Sequence, residues 1–271
     1  MEVLVINMHQ DKERLDKIER QLDVTRIEAV DGSKDDMSGT NMMCRYFCTN
    51  SMVGIYKSHL KCWQYIIDNN LDYAIILEDD VQVVPDFQKR AQDLVDSTIL
   101  QWDILLLGCF FCKIDKNDWL SRLYINSAYP KGKEEDINDL LYKPRGWSGA
   151  HAYLVSRQGA KNLLSKFKTV TFHVDYVLSH SYLDVFASKQ LLATQNTSGV
   201  GSYNAKEIPL FRGIKLDNKS VDLDFILTMP VGEVGGVKIH LWLVFKLLCV
   251  LMIIYLVTKY VNIAPRNTST L

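Results

Sequence analysis

YAIILEDDV, residues Tyr73 to Val81, is an apolar run that ends in three consecutive acids. Ala74, Ile75, Ile76 and Leu77 show no polar alternation, as in a strand buried on both faces, and the chain must reach solvent where Glu78, Asp79 and Asp80 begin. Three carboxylates at a strand exit repel one another. A cation, arginines or plain hydration can offset that repulsion. A hard divalent ion such as Mg²⁺ or Mn²⁺ takes oxygen ligands from one or two carboxylates, with substrate phosphates and water completing its shell. A nucleotide-diphosphate site requires that arrangement, and a solvated acidic turn is the plain alternative.

Similar strands stand on either side. Glu2 to Asn7 (EVLVIN) and Trp102 to Gly108 (WDILLLG) are short apolar runs, and Thr25 to Val30 (TRIEAV) reads as a further strand closed by Asp31-Gly32, a turn signal in its own right. Between them lie helical spacings. Leu15, Ile18 and Leu22 mark an amphipathic helix over Asp11 to Gln21, and Tyr56, Leu60, Trp63 and Ile67 mark another over Ser51 to Asn69. Ser33 to Asn50 has no period and reads as a loop, and a polar helix is expected from Asp86 to Val95. Ser148 to Val155 is a strand, with Ser156 as N-cap of a helix to Phe167; a short helix opens at His173-Val174-Asp175. Strand-like pieces follow around Val185 and Leu191. Buried strands separated by helices predict an α/β fold with a mostly parallel sheet covered on both faces.

Chemistry-bearing residues gather at the strand exits. Asn7 ends the first strand. Arg14, early in the next helix, has a planar fork that matches a diphosphate, although a surface arginine would look the same. Ser58 and His59 lie beside the apolar stripe of their helix, where a histidine can serve packing alone. Asp175 at a helix start is either a functional carboxylate or a favourable partner of the helix dipole.

The totals narrow the classes. The chain has 271 residues, 48% of them hydrophobic, enough for one or two domains with a sizeable core. Thirty-one basic and 32 acidic residues leave no basic field for nucleic acid, and that partner is set aside. Six cysteines in a chain whose start shows no signal peptide predict reduced thiols in a cytosolic domain. Cys109 and Cys112 form C-x-x-C without a second pair at zinc spacing. Cys112 to Arg145 is a long irregular insertion, in the manner of a lid, a substrate loop or a surface loop.

The carboxyl end departs from this pattern. In Leu241 to Val257 only Lys246 is charged. A helix over that run spans about 25 Å, slightly less than the ~30 Å hydrocarbon core, so flanking residues must help. A membrane tail anchor is expected, the alternatives being an amphipathic helix lying on a membrane or partner, and a core helix. The domain division is residues 1–194 catalytic, 195–237 linker, 238–260 single-pass anchor and 261–271 a short polar tail, with the globular part on the cytosolic side.

In order, these segments resemble glycosyltransferase family 25, the group of lipooligosaccharide and procollagen galactosyltransferases. VINMHQDKER carries the strand, Asn7 and Arg14; AVDG, GIYKSHLKCW, ILEDDV and GAHAYLVSRQGAKNLL are similar to the family's successive motifs, over about residues 3 to 180. The family commonly has Pro where this chain has His173, and its soluble bacterial members lack the hydrophobic tail. The resemblance implies a GT-A-like, Rossmann-related fold. It also implies inverting transfer of a hexose, galactose or glucose, from a UDP-sugar to a glycan or hydroxylysine-type acceptor. Glu78, Asp79 and Asp80 would hold Mn²⁺ or Mg²⁺, and Asn7, Arg14, Asp31, Gly32 and Ser58 would line the donor. Asp175 is the expected base, with His59 and His173 behind it. A non-catalytic, membrane-tethered binding relative is the rival reading. A metal-dependent phosphohydrolase is a weaker one, since no G-x-x-x-x-G-K loop is present.

Overall fold

The computed structural model describes residues 1–98, 100–112, 122, 125, 126, 129, 133–195, 207, 208, 211–215, 230–234 and 237–263. β1 (Glu2–Asn7) runs through α1 (Lys12–Glu19) into β2 (Thr25–Glu28). A short helix, α2 (Met42–Phe47), precedes the long α3 (Asn50–Asp68); then come β3 (Tyr73–Glu78), β4 (Val81–Val83), α4 (Phe87–Asp96) and β5 (Ile104–Phe110). β6 (Glu135–Asp136), β7 (Leu141–Lys143) and β8 (Ser148–Ser156) lead to α5 (Arg157–Phe167), α6 (Val174–Ser179), β9 (Val185–Ser188) and β10 (Ala193–Gln195).

Eight of these strands form one sheet in the order β2-β1-β3-β8-β5-β9-β7-β6. β1 is parallel to β2 and β3, and β9 is parallel to β5. β8 runs antiparallel to both β3 and β5, between which it lies. β2, β1, β3, β5 and β9 therefore share one direction, as expected of a mostly parallel sheet, with a reversed strand inserted at its centre.

Side-chain alternation along each strand divides the apolar residues between two layers of helices. Leu4, Ile6, Ile76, Ile104 and Leu106 pack with Tyr56 and Trp63 of α3 and Leu163 of α5. Val3, Val5, Ile75, Leu77, Leu105 and Leu107 pack with Ile18 of α1 and Phe87, Ala91 and Leu94 of α4. Fully burying such a side chain stabilises by roughly 1.5–3 kcal/mol, so the continuous apolar runs serve both faces. Tyr56 also ties α3 to the end of α5, its hydroxyl donating to the Phe167 carbonyl at 2.9 Å.

Several expectations change. Residues 33–50 are not all loop: α2 forms there because Asn41 caps it, its side chain accepting from Cys44 N at 2.7 Å. Thr49 caps α3 in the same way through Met52 N, and Ser156 caps α5 through Gly159 N, as read from the sequence. The thiols are not all reduced. Cys44 and Cys48, one helical turn apart, form a disulfide, as do Cys109 and Cys112 at the end of β5; Cys62 and Cys249 are free.

The insertion expected from Cys112 to Arg145 lies largely outside the described residues, apart from β6 and β7, and so does the polar tail beyond residue 263. In the stretch read as a linker, β11 (Glu207–Ile208) pairs with β12 (Phe211–Lys215), and β13 (Pro230–Val234) with β14 (Val237–His240). A 23-residue helix, α7 (Leu241–Ile263), follows. Leu247, Leu248 and the residues from Val250 to Leu256 are exposed on it. Among the described residues no helix is long and apolar enough to cross a membrane.

Candidate active site

β1 and β3 are parallel neighbours, so the residues that end them meet at one edge of the sheet. Asn7, which is buried, closes β1 and donates from Nδ2 to Asp79 Oδ2 at 2.8 Å and to the Asp11 carbonyl at 3.0 Å. Its Oδ1 accepts from Arg26 Nε at 3.0 Å. From the first turn of α1, Arg14 Nη1 reaches Asp79 Oδ1 at 2.9 Å. Both oxygens of the middle acid thus have partners in the first βα unit.

Glu78 and Asp80 are served by a different group. Gln195 of β10 donates from Nε2 to Asp80 Oδ2 at 3.0 Å and to Glu78 Oε2 at 3.4 Å. Asp80 Oδ1 is buried and makes no hydrogen bond. Burial, followed by repulsion from Asp80, Asp175 and Asp79, holds Glu78 well above the ordinary carboxyl range. Burial raises Asp80 as well, against the hydrogen bond from Gln195. Asp79 is raised by burial but drawn back by Arg14 and Asn7. Two crowded carboxyls with an open oxygen fit a hard cation that takes the rest of its shell from diphosphate and water. Among the described residues no group of three His, Cys, Asp or Glu is arranged to hold a metal ion.

Behind Glu78 lies a buried polar group that sequence reasoning only half found. His59 Nδ1 and Tyr153 Oη are 2.6 Å apart, and Trp63 Nε1 donates to the same hydroxyl at 3.1 Å. His59 Nε2 has no hydrogen-bond partner and lies 3.7 Å from Glu78 Oε1. Burial lowers the His59 pKa to about 4, so the ring is neutral at pH 7. Tyr153 and Trp63 pass for core aromatics in the sequence; the signal available was that a buried hydroxyl and indole N–H must find partners.

Asp175 opens α6. Its Oδ2 accepts from Gly149 N at 3.1 Å and its Oδ1 from Ala150 N at 3.0 Å, which ties α6 to the start of β8. His173 caps the helix: Nδ1 accepts from Asp175 N at 3.2 Å. Asp31, Gly32 and Ser58 build the junction of β2 with α3. Ser58 Oγ accepts from Val30 N at 2.9 Å and donates to the Gly54 carbonyl at 2.7 Å. Asp31 accepts from Ser33 in its own turn, which holds its carboxyl below the usual range. A Cβ on Gly32 would lie 1.8 Å from the Asn50 carbonyl oxygen, so the close approach this glycine permits is to α3.

Comparison with known proteins shows what the chain is similar to. The model of "Glycosyltransferase family 25 (LPS biosynthesis protein)" matches residues 1–178. Human procollagen galactosyltransferase 2 is 28% identical over 127 residues, 40% of this chain and 20% of its own length. Procollagen galactosyltransferase 1-B of Xenopus laevis is 26% identical over 184 residues, 60% of this chain and 28% of its own. The chain thus spans between a fifth and a little over a quarter of these relatives. Among solved structures, the galactosyltransferase LgtC in complex with donor and acceptor sugar analogs superposes with a TM-score of 0.36 at 12% identity, covering 69% of this chain and 73% of that one.

Proposed function

The chain belongs to glycosyltransferase family 25, and we propose that it transfers a hexose, galactose or glucose, from a UDP-sugar to a hydroxyl of a glycan or a hydroxylated protein, with inversion at the anomeric carbon. The observation that carries this reading is the pair Glu78 and Asp80, two crowded carboxyls bridged by Gln195, with Asp80 Oδ1 unpartnered at the exit of β3. Mn²⁺ or Mg²⁺ held by Glu78 and Asp80 would supply positive charge against the leaving diphosphate. Asp79 holds the Arg14 guanidinium at the same strand edge, where it adds a second cation on the donor side. Asp175 takes the proton of the acceptor hydroxyl, its carboxylate fixed by the Gly149 and Ala150 amides.

Thermal melting of the full chain tests the pairing of nucleotide and cation. UDP and Mn²⁺ together should protect well beyond the sum of their separate effects, because each completes the binding shell of the other. Asp80→Ala should remove that synergy while the protein still melts cooperatively. Unchanged synergy in the variant would refute the assignment.

We further propose that α7, exposed from Val250 to Leu256, tethers the chain by lying against a membrane without crossing it. An alkaline carbonate wash should release the full chain from membranes, and resistance to that wash would refute peripheral attachment.

A further inference from the structure

His151 is the residue of this region that no role has yet absorbed. It stands fourth in β8, directly after the two amides that hold Asp175, and is 2% exposed. Its ring occupies a slot made by missing side chains. A Cβ on Gly108 of β5 would come within 2.7 Å of His151 Nε2, and one on Gly149 within 3.0 Å of Nδ1. The β5–β8 register shifts on both sides of Gly108, an irregularity of the kind that re-aims side chains beside active sites. Phe110 covers the slot, its ring centroid 5.2 Å from that of His151, and is itself 38% exposed.

Neither ring nitrogen makes a well-formed hydrogen bond, although both are sealed from solvent; the Ala193 carbonyl is near enough to act only as a weak acceptor. Burial lowers the pKa to about 4, outweighing Asp175 and that carbonyl, which both favour protonation. The ring is therefore a neutral imidazole, which offers one N–H donor and one acceptor lone pair. A buried donor and a buried acceptor left unmade are costly, and such pairs persist where a bound molecule completes them. Neighbouring hydroxyls of a hexose present both complements in one ligand.

Resting on the glycosyltransferase reading, we infer that His151 is a specificity-determining residue that hydrogen-bonds hydroxyls of the transferred hexose once Phe110 swings aside. The uracil and diphosphate make no demand on it. Removing His151 therefore weakens binding of the sugar nucleotide and spares binding of the nucleotide alone.

Calorimetry on the full chain with Mn²⁺, using UDP, UDP-galactose and UDP-glucose, separates the two contributions. In His151→Ala, UDP affinity should stay within twofold of wild type while affinity for the preferred sugar nucleotide falls at least tenfold; His151→Gln, which keeps a donor and an acceptor, should recover part of it. Equal losses for UDP and UDP-sugar, or no loss for either, overturn the inference and leave His151 a packing residue, its nitrogens met by internal water. If wild type binds neither UDP nor any UDP-sugar, the glycosyltransferase reading itself fails. Should His151→Ala not fold, ¹⁵N imidazole spectra of the wild-type protein decide. The His151 resonances should move with UDP-sugar and not with UDP, and identical spectra overturn the inference.

Discussion

Arg14 and Asp79 form a 2.9 Å ion pair that takes the middle acid of the triplet away from its two neighbours. The side chains are only 16% and 11% exposed, so the pair is partly desolvated and neither charge is left comfortable by the loss of the other. Arg14→Ala should destabilise the fold by about 2 kcal/mol, on the low side of what breaking a buried pair costs. Urea unfolding of Arg14→Ala, Asp79→Ala and the double variant measures the coupling. A coupling energy near zero would show that the pair is incidental.

The opposite sign is expected two atoms of backbone away. Asp80 repels Glu78 under burial, and Asp80→Asn removes that charge while keeping an acceptor for Gln195. Without metal the variant should be more stable than wild type by about 1 kcal/mol, the scale of one pKa unit of relieved interaction. It should at the same time lose the joint protection by UDP and Mn²⁺. A variant less stable than wild type in chelator would argue that the two acids are not in conflict.

Acid stability follows from His59 and His151. Burial lowers each to about 4 in the folded protein from 6.5, so between those values the unfolded chain binds protons that the native state refuses, and stability falls as the pH drops. Glu78 and Asp80, shifted upward, contribute in the other direction: the folded state keeps their protons longer, and that stability is lost as the pH rises out of the ordinary carboxyl range. Comparing variants isolates the histidines. His151→Gln should reduce the fall in unfolding free energy between pH 7 and pH 5 by about 2 kcal/mol. An unchanged pH profile in the variant would mean that the ring is hydrated in the native state.

Gly32→Ala should be among the most damaging single-methyl additions in the chain. The new carbon would sit 1.8 Å from the Asn50 carbonyl oxygen, a backbone atom at the start of α3 that cannot rotate away. The expected loss is about 3 kcal/mol, the upper range for overpacking, read as a lowered urea midpoint with an unchanged slope. A loss under 1 kcal/mol would show that the β2–α3 junction yields.

Much of this was legible in the chain itself. Runs such as Val3 to Ile6 and Ile75 to Leu77 declare strands covered on both sides, and Ser156 announces the start of α5. The acid-x-acid spacing of Glu78 and Asp80 was also there to be read, but the division of the triplet comes from partners in the turn after β3: Asn7 and Arg14 take Asp79, and Gln195 bridges the other two. What escaped depends on contacts distant in sequence. The reversed direction of β8 is invisible in its composition, since SGAHAYLV alternates the same way in either sense. Gln195 is an anonymous amide until β10 pairs with β4 and brings it over the acids. α2 has only six residues, too few for a period to show.

Gln195 also bears on how the protein can be dissected. The match to the family stops at residue 178, short of β9, which sits between β5 and β7, and short of β10 with its amide. A fragment trimmed to that similarity boundary would cut through the middle of the sheet and remove the donor that Glu78 and Asp80 share. The smallest autonomous unit worth expressing therefore runs past the recognisable family region, at least to the residue that bridges its acids.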